Sequence, residues 1–374
     1  MRILFACGGT GGHINPALAV ARLVKEKRPN AEILFVGVRG GMEEKLVPAA
    51  GFEIKTVSSC AFSRKKSIAS FFENLLIPKK IIASEREAKK IIKEFSPDAV
   101  MGTGGYACYP VLSAASRMGI PTLIHEANAF PGLACRVLAK RLTKLLLNFE
   151  VSKERLSPKV SCKVVGMPVR DDILMYDREV ARRELGITDK PLLVSFWGSL
   201  GAREMNKHIA EVMRLEKENE GEFYHIHATG KFGYGWMPDF IAEKGIDFTS
   251  DKYIKLREYI DDMPRVLAAA DVVMCRGGAG TLSEILARGV PAIIVPSPNV
   301  TDNHQYKNAI ELEKIGGAVV FEEKDVTPRL LYDTVRELLS DKKRREKMSG
   351  NLVENAVLDG TERIYEEIIK LIKK

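Results

Sequence analysis

The sequence predicts an α/β protein of two doubly wound, parallel-sheet domains facing across a cleft. Three observations carry that expectation. Short β-branched runs alternate with longer amphipathic ones; the pattern halts near Gly166 and restarts at Pro191; and glycine-rich turns follow strands in both halves. Strand–helix alternation builds parallel sheets, and strands covered on both faces read as continuous apolar runs, as ILFAC and AEILFVG do. At 374 residues and 45% hydrophobic, the chain can bury the cores of two domains.

In the first half the expected strands are Ile3–Cys7, Glu32–Gly37, Glu53–Val57, Asp98–Gly102, Pro121–His125, Lys144–Asn148 and Lys163–Val165. Helical spacing falls between them at Pro16–Lys27, Glu43–Ala50, Ser67–Phe95 and Leu133–Leu142. Turn-forming residues take over at Gly166-Met167-Pro168-Val169-Arg170-Asp171-Asp172, a linker. The strand pattern then returns at 191–198, 223–230, 253–260, 271–278, 291–296 and 317–321. The tail from Thr361 spaces Ile364, Ile368, Ile369 and Ile372 on one helical face and ends in lysines, as a helix C-terminus favours. The expected domains are 1–165, 166–358, and a C-terminal helix over 359–374 packing back on the first domain.

The strongest local signal is Gly8-Gly9-Thr10-Gly11-Gly12-His13-Ile14-Asn15-Pro16. It follows the first strand and opens a helix, with Asn15 as N-cap and Pro16 at the first helical position. Such a turn presents backbone amides at the positive end of a helix, where phosphate is stabilised. Similar turns stand at Gly102–Tyr106, Gly198–Arg203 and Gly277–Glu284. Four of them at C-terminal strand ends, two in each half, point to two ligand faces. A dinucleotide fingerprint fails, because Ile14 stands where its last glycine belongs and Arg39 follows the second strand in place of an acid. His125-Glu126-Ala127-Asn128 and Asp302-Asn303-His304-Gln305 add side chains able to orient sugar hydroxyls.

Net charge is +8, unevenly spread: residues 1–165 carry 26 Lys and Arg against 13 Asp and Glu, the remainder 31 against 36. A basic first half suits an anionic partner such as a phospholipid surface or a nucleic acid; a surplus of surface lysine is the competing explanation. No apolar run approaches the roughly 18 residues of a membrane span. The six cysteines stand singly, which reads as reduced thiols and not as a metal set. No Asp-x-Asp pair occurs, so the acidic metal clamp common to nucleotide-sugar enzymes is missing. A leaving diphosphate would rest on loop amides and Arg170 or Arg203.

Taken in order, GGTGGH, GTGGY, HEAN, GMPVR, GSLGAR, YIDDM, CRGGAGTLSE and DNHQ resemble the MurG family of N-acetylglucosaminyltransferases across nearly the whole chain. The resemblance implies a GT-B arrangement of two Rossmann-like domains. It also implies inverting transfer from UDP-N-acetylglucosamine to the C4 hydroxyl of lipid-linked N-acetylmuramoyl-pentapeptide in peptidoglycan synthesis, with no cofactor and no nucleic acid. Carried over by motif, Thr10, Gly11, Gly12 and Asn128 meet the donor sugar or the reacting centre. Arg170 and Ser199 meet the diphosphate, and Ile260 meets uracil through its backbone. Ala279, Gly280, Thr281, Leu282, Ser283 and Glu284 hold the diphosphate and nucleoside, Glu284 accepting from the ribose. Gln305, together with His304, holds the N-acetylglucosamine. His13 is the candidate general base, with Glu126 in reserve; the competing role for His13 is to stabilise its loop. The chain departs from the family pattern at Ala127, Met167, Trp197 and Leu200.

Lys65 and Lys66 precede Phe71, Phe72, Leu75 and Leu76, and Lys79 and Lys80 follow. A basic-flanked apolar patch suits reversible binding to an anionic inner leaflet from the cytoplasmic side, beside a lipid acceptor; packing of that helix on its sheet is the alternative. Two other functions compete: a UDP-sugar epimerase of similar architecture, and a nucleotide-sugar-binding subunit without catalysis, against which His13, Glu284 and Gln305 argue.

Overall fold

The computed structural model describes residues 1–58, 77–219 and 221–373. The chain divides into two compact units, Met1–Val169 with Val357–Lys374, and Arg170–Ala356.

The first unit carries strands β1 (Arg2–Ala6), β2 (Glu32–Val38), β3 (Glu53–Val57), β4 (Ala99–Gly102), β5 (Thr122–Glu126), β6 (Lys144–Leu147) and β7 (Cys162–Val164). They form one parallel sheet in the order β3-β2-β1-β4-β5-β6-β7, with Leu4 opposite both Leu34 and Val100. The chain walks outward from β1 to β3, then returns to place β4 on the other side of β1. Winding therefore reverses between β1 and β4, where open α/β sheets take their ligands.

Ile3, Leu4, Phe5 and Ala6 have no exposure at all, because helices cover both faces of the sheet. One face packs α3 (Ile77–Phe95), α4 (Cys108–Arg117) and α5 (Leu133–Leu138) through Ile92, Leu112 and Leu138. The other packs α1 (Gly11–Lys27), α2 (Glu43–Ala49) and α14 (Gly360–Ile372). The tail helix buries Ile364, Tyr365 and Ile368 there, each worth about 1.5–3 kcal/mol of transfer free energy. Its Glu367, almost fully buried, is held by Lys144 at 2.5 Å and Lys163 at 2.8 Å.

The second unit repeats the design with β8 (Leu192–Phe196), β9 (Tyr224–Ala228), β10 (Ile254–Arg257), β11 (Val272–Cys275), β12 (Ala292–Ile294) and β13 (Ala318–Val320). Their order, β10-β9-β8-β11-β12-β13, is again all parallel and reverses between β8 and β11. Its helices are α6 (Arg178–Leu185), α7 (Arg203–Glu218), α8 (Met237–Ala242), α9 (Met263–Ala269), α10 (Ala279–Arg288), α11 (His304–Lys314), α12 (Pro328–Ser340) and α13 (Lys342–Glu354).

The opening of α1 corrects the expectation for Asn15 and Pro16. The helix begins at Gly11, with extended Thr10 as N-cap, and Pro16 lies inside it. A proline there removes one helical hydrogen bond and presses on the carbonyl four residues earlier. That residue is Gly12, whose backbone yields more readily than any other, so the glycine loop winds straight into the helix. The unit boundaries fall at Val169 and Ala356, not at 165 and 358. Residues 166–168 belong to the first unit: His125 Nε2 donates to the Gly166 carbonyl at 2.8 Å, and Met167 is buried.

Candidate active site

All four glycine loops leave the strands flanking the reversal points, β1 and β4 in one sheet and β8 and β11 in the other. Each unit therefore gathers its two loops side by side.

In the first unit the β1 loop is anchored from three directions. The Thr103 hydroxyl donates to the His13 carbonyl at 2.6 Å, and the Cys108 thiol to the carbonyls of Ala6 and Gly104 at 3.0 Å. Glu43, completely buried, accepts from the amides of Gly9 and Val38. The first-turn amides of Gly11 and Gly12 have no intrahelical acceptor, and no side chain caps them. They stand at the positive end of a 17-residue helix.

His13 is half-buried, with its ring over Gly104. Gly104 has φ +110°, and a Cβ there would stand 2.5 Å from Cδ2 of the imidazole, so glycine is required twice over. The Gly8 carbonyl lies 3.1 Å from His13 Nδ1. A carbonyl only accepts, so Nδ1 carries the proton in the neutral ring and Nε2 the basic lone pair.

Glu126 behaves differently. Oε1 accepts from the backbone and side-chain amides of Asn128 at 3.0 and 3.1 Å, and Oε2 from Gly132 N at 2.7 Å. Burial pushes its pKa up, against the pull of those donors. Both oxygens are committed to shaping the 126–132 loop and presenting Asn128, which suits a positioning residue better than a base.

In the second unit Gly278 caps α10 in extended conformation, without side-chain help. Leu282 N bonds back to Gly278 O, leaving the amides of Ala279, Gly280 and Thr281 as the helix's outward donors. Glu284 sits one turn on, half-buried. Burial lifts its pKa to about 7 against the charge of Arg170. Arg170 is exposed and held as a fork by Asp172, with both bonds at 3.1 Å.

Ser199 is exposed on the β8 loop, which is locked to the β9 loop where Lys231 N donates to the Ser199 carbonyl at 3.0 Å. Ile260 is buried at the end of the β10 loop. Ahead of α11, Asp302 and Asn303 both adopt left-handed φ, 53° and 50°, a strained pair of the kind that gathers at ligand sites. His304 Nδ1 donates to the Thr301 carbonyl at 2.9 Å. Gln305 accepts from Ser297 N at 2.9 Å through Oε1, which turns its NH2 end to the other side.

Glu43, Cys108 and Asn308, which donates to the Gly277 carbonyl at 3.1 Å, are supports that the motifs did not mark, and Thr103, inside GTGGY, braces the loop in a way that motif did not show. Of the departures, Trp197 is buried beneath the Arg276 guanidinium at 5.5 Å, whereas Leu200 is exposed. Lys79 and Lys80 are exposed at the start of α3; Lys65, Lys66, Phe71, Phe72, Leu75 and Leu76 lie outside the described residues. Among the described residues no helix is long and apolar enough to cross a membrane.

Residues 3–147 match the glycosyltransferase family 28 N-terminal domain and residues 192–364 its C-terminal domain. A protein of Acetivibrio thermocellus named UDP-N-acetylglucosamine--N-acetylmuramyl-(pentapeptide) pyrophosphoryl-undecaprenol N-acetylglucosamine transferase is 44% identical, over 100% of this chain and 99% of its own. The protein of the same name from Ruminiclostridium cellulolyticum is 41% identical over 100% of both. Among solved structures, MurG of Acinetobacter baumannii superposes with TM-score 0.79 at 26% identity, covering 99% of both chains. A putative UDP-N-acetylglucosamine 2-epimerase of Listeria monocytogenes reaches 0.69 at 14%, covering 100% of this chain and 96% of that one, a likeness of fold alone.

Proposed function

The chain belongs to the MurG family of glycosyltransferases, and from that premise we propose that it transfers N-acetylglucosamine from UDP to pyrophosphoryl-undecaprenol-linked N-acetylmuramoyl-pentapeptide, a step of peptidoglycan synthesis. The observation that carries this reading is full-length identity of 44% to an enzyme of that name, joined to glycine loops at every strand flanking the reversals. The epimerase reading has only a fold likeness behind it.

The second unit takes the donor. Amides at the start of α10, with Arg170 and Ser199, hold the diphosphate. The Ile260 backbone meets uracil, Glu284 accepts from the ribose, and Gln305 with His304 orients the sugar. In the first unit Thr10, Gly11, Gly12 and Asn128 line the reacting centre. Nε2 of His13 takes the proton from the acceptor C4 hydroxyl as that oxygen attacks the anomeric carbon, inverting it while UDP departs. General-base assistance of this kind contributes about 10²–10⁴-fold.

Charge developing on the diphosphate is met by oriented amides and guanidinium groups rather than by a metal. The absence of an Asp-x-Asp pair from the sequence supports this. The enzyme works as a peripheral protein on the cytoplasmic face of the inner membrane. Its basic first half, with Lys79 and Lys80 exposed, favours anionic phospholipid.

The test is incubation with radiolabelled UDP-N-acetylglucosamine and the lipid-linked acceptor in EDTA. Label is expected in the lipid fraction; UDP release that does not depend on acceptor would overturn the proposal.

A further inference from the structure

At the end of the second sheet remote from its glycine loops lies a cavity of about 410 Å³, within the size range of small-molecule sites. It opens beside Asp271 and Pro291, the residues just before β11 and β12, and is roofed by one face of α13. The four residues of β11 separate it from the Gly277 loop, a span of roughly 13 Å.

Four cations line it, Arg178, Arg288, Lys342 and Arg345, against two acids, Asp271 and Glu346. Asp271 is already engaged, and Glu346 is exposed to solvent beside Lys342. Asp271 accepts from Arg178 at 2.7 Å, from Arg182 at 3.0 Å and from Leu192 N at 2.8 Å, while Glu346 lies 3.7 Å from Lys342. Among the described residues, the hydrogen bonds of Arg288 and Arg345 go to carbonyls: Tyr176 O for the first, at 3.3 Å, and Leu338 O and Leu339 O for the second. Arg288 Nε is buried and unpartnered. Burial, then the charge of Arg178, pushes the Arg288 pKa down. The Asp177 charge acts on Arg288 in the opposite sense, but four cations against two acids in one partly desolvated recess still leave an excess of positive charge that favours an entering anion. Leu267, Ala268, Val290 and Pro291 give the remaining wall an apolar character.

We propose that this cavity is a second ligand site, separate from the donor site, that takes the phosphate group of a small phosphorylated molecule between Arg288 and Arg345. Phosphate fits better than a single carboxylate, because four cations line one recess and guanidinium forks match its oxygens.

The experiment is calorimetric titration of inorganic pyrophosphate into the full-length protein saturated with UDP, so that the glycine loops of the second unit are occupied; heat that persists equally in the Arg288 and Lys342 variants belongs to the first unit's loops. One binding event is expected, weakened at least tenfold in both Arg288→Gln and Lys342→Glu, with UDP affinity unchanged in each. Should Arg288→Gln fail to fold, the exposed Lys342→Glu decides alone. No heat in the UDP-saturated wild type, or equal affinity in the folded variants, overturns the proposal.

Discussion

Glu43 holds the amide of Gly9. The carboxyl reaches from the first turn of α2 into the loop after β1, accepting from Gly9 N at 3.1 Å and from Val38 N at 2.8 Å. It has no exposure, among the described residues it forms no ion pair, and Gly8, Gly37 and Gly41 enclose it. Replacing it with Ala leaves two buried donors unmet, at about 1–3 kcal/mol each. The expected result for Glu43→Ala is a lower thermal midpoint together with a fall in transferase activity, since the loop that presents Gly11 and Gly12 loses its anchor. An unchanged midpoint in a thermal melt would show that the contact carries no weight.

His13 has two possible duties that one substitution separates. Its Nδ1–H donates to Gly8 O, while Nε2 holds the lone pair. Asn in its place keeps a short amide donor for that carbonyl but supplies no base. The base role predicts that His13→Asn folds with a wild-type midpoint, binds UDP normally and loses about 10²–10⁴-fold in kcat. Retention of kcat within threefold assigns His13 to the loop alone.

The strands were readable because the sheets are covered on both sides. Residues such as Ile3–Ala6 and Val272–Cys275 are therefore apolar and buried without interruption. The tail helix was readable from the spacing of its isoleucines. The start of α1 was not, since Asn15-Pro16 is a strong local signal for a helix end, and the true start depends on glycine geometry further upstream. Glu43 was not readable either. It and Glu44 are equivalent as first-turn acids, and it is the approach of Gly8 from the β1 loop and Gly37 from β2, with Gly41 just upstream, that distinguishes the buried one. Bracing contacts such as Thr103 to His13, 90 residues apart, follow from strand order and leave no local mark.

In the ribose role proposed for it, Glu284 sets a pH dependence for donor binding. Burial lifts its pKa to about 7, well above that of an exposed carboxyl. The folded state therefore binds a proton that the unfolded chain has released, and this group's contribution to stability declines as pH rises from about 4.5 to 7. In that proposed role the ionised carboxylate accepts from ribose hydroxyls. UDP affinity is expected to rise about tenfold between pH 6 and 8, as one titrating group dictates. Glu284→Gln, measured alongside so that titration of the diphosphate cancels, should flatten the profile. Parallel profiles for the two proteins would remove Glu284 from the ribose site.

Gly201 brings the β8 loop against the β9 loop so closely that no side chain fits. Its φ is +78°, and a Cβ built on it would stand 2.0 Å from the carbonyl oxygen of Thr229. That carbonyl is already fixed by Asn206 Nδ2 at 2.8 Å, so it cannot swing aside without breaking a buried hydrogen bond. Gly201→Ala thus combines left-handed backbone strain, about 1–3 kcal/mol, with displacement of the strand-end loop that carries Ser199. Because Ser199 O also accepts from Lys231 N, the shift should reach the diphosphate-binding face. The expected outcome is a lower thermal midpoint and a raised KM for UDP-N-acetylglucosamine, with the KM for the lipid acceptor unaltered. A variant with lower stability but an unchanged donor KM would mean that the packing of these loops supports the fold without shaping the donor site.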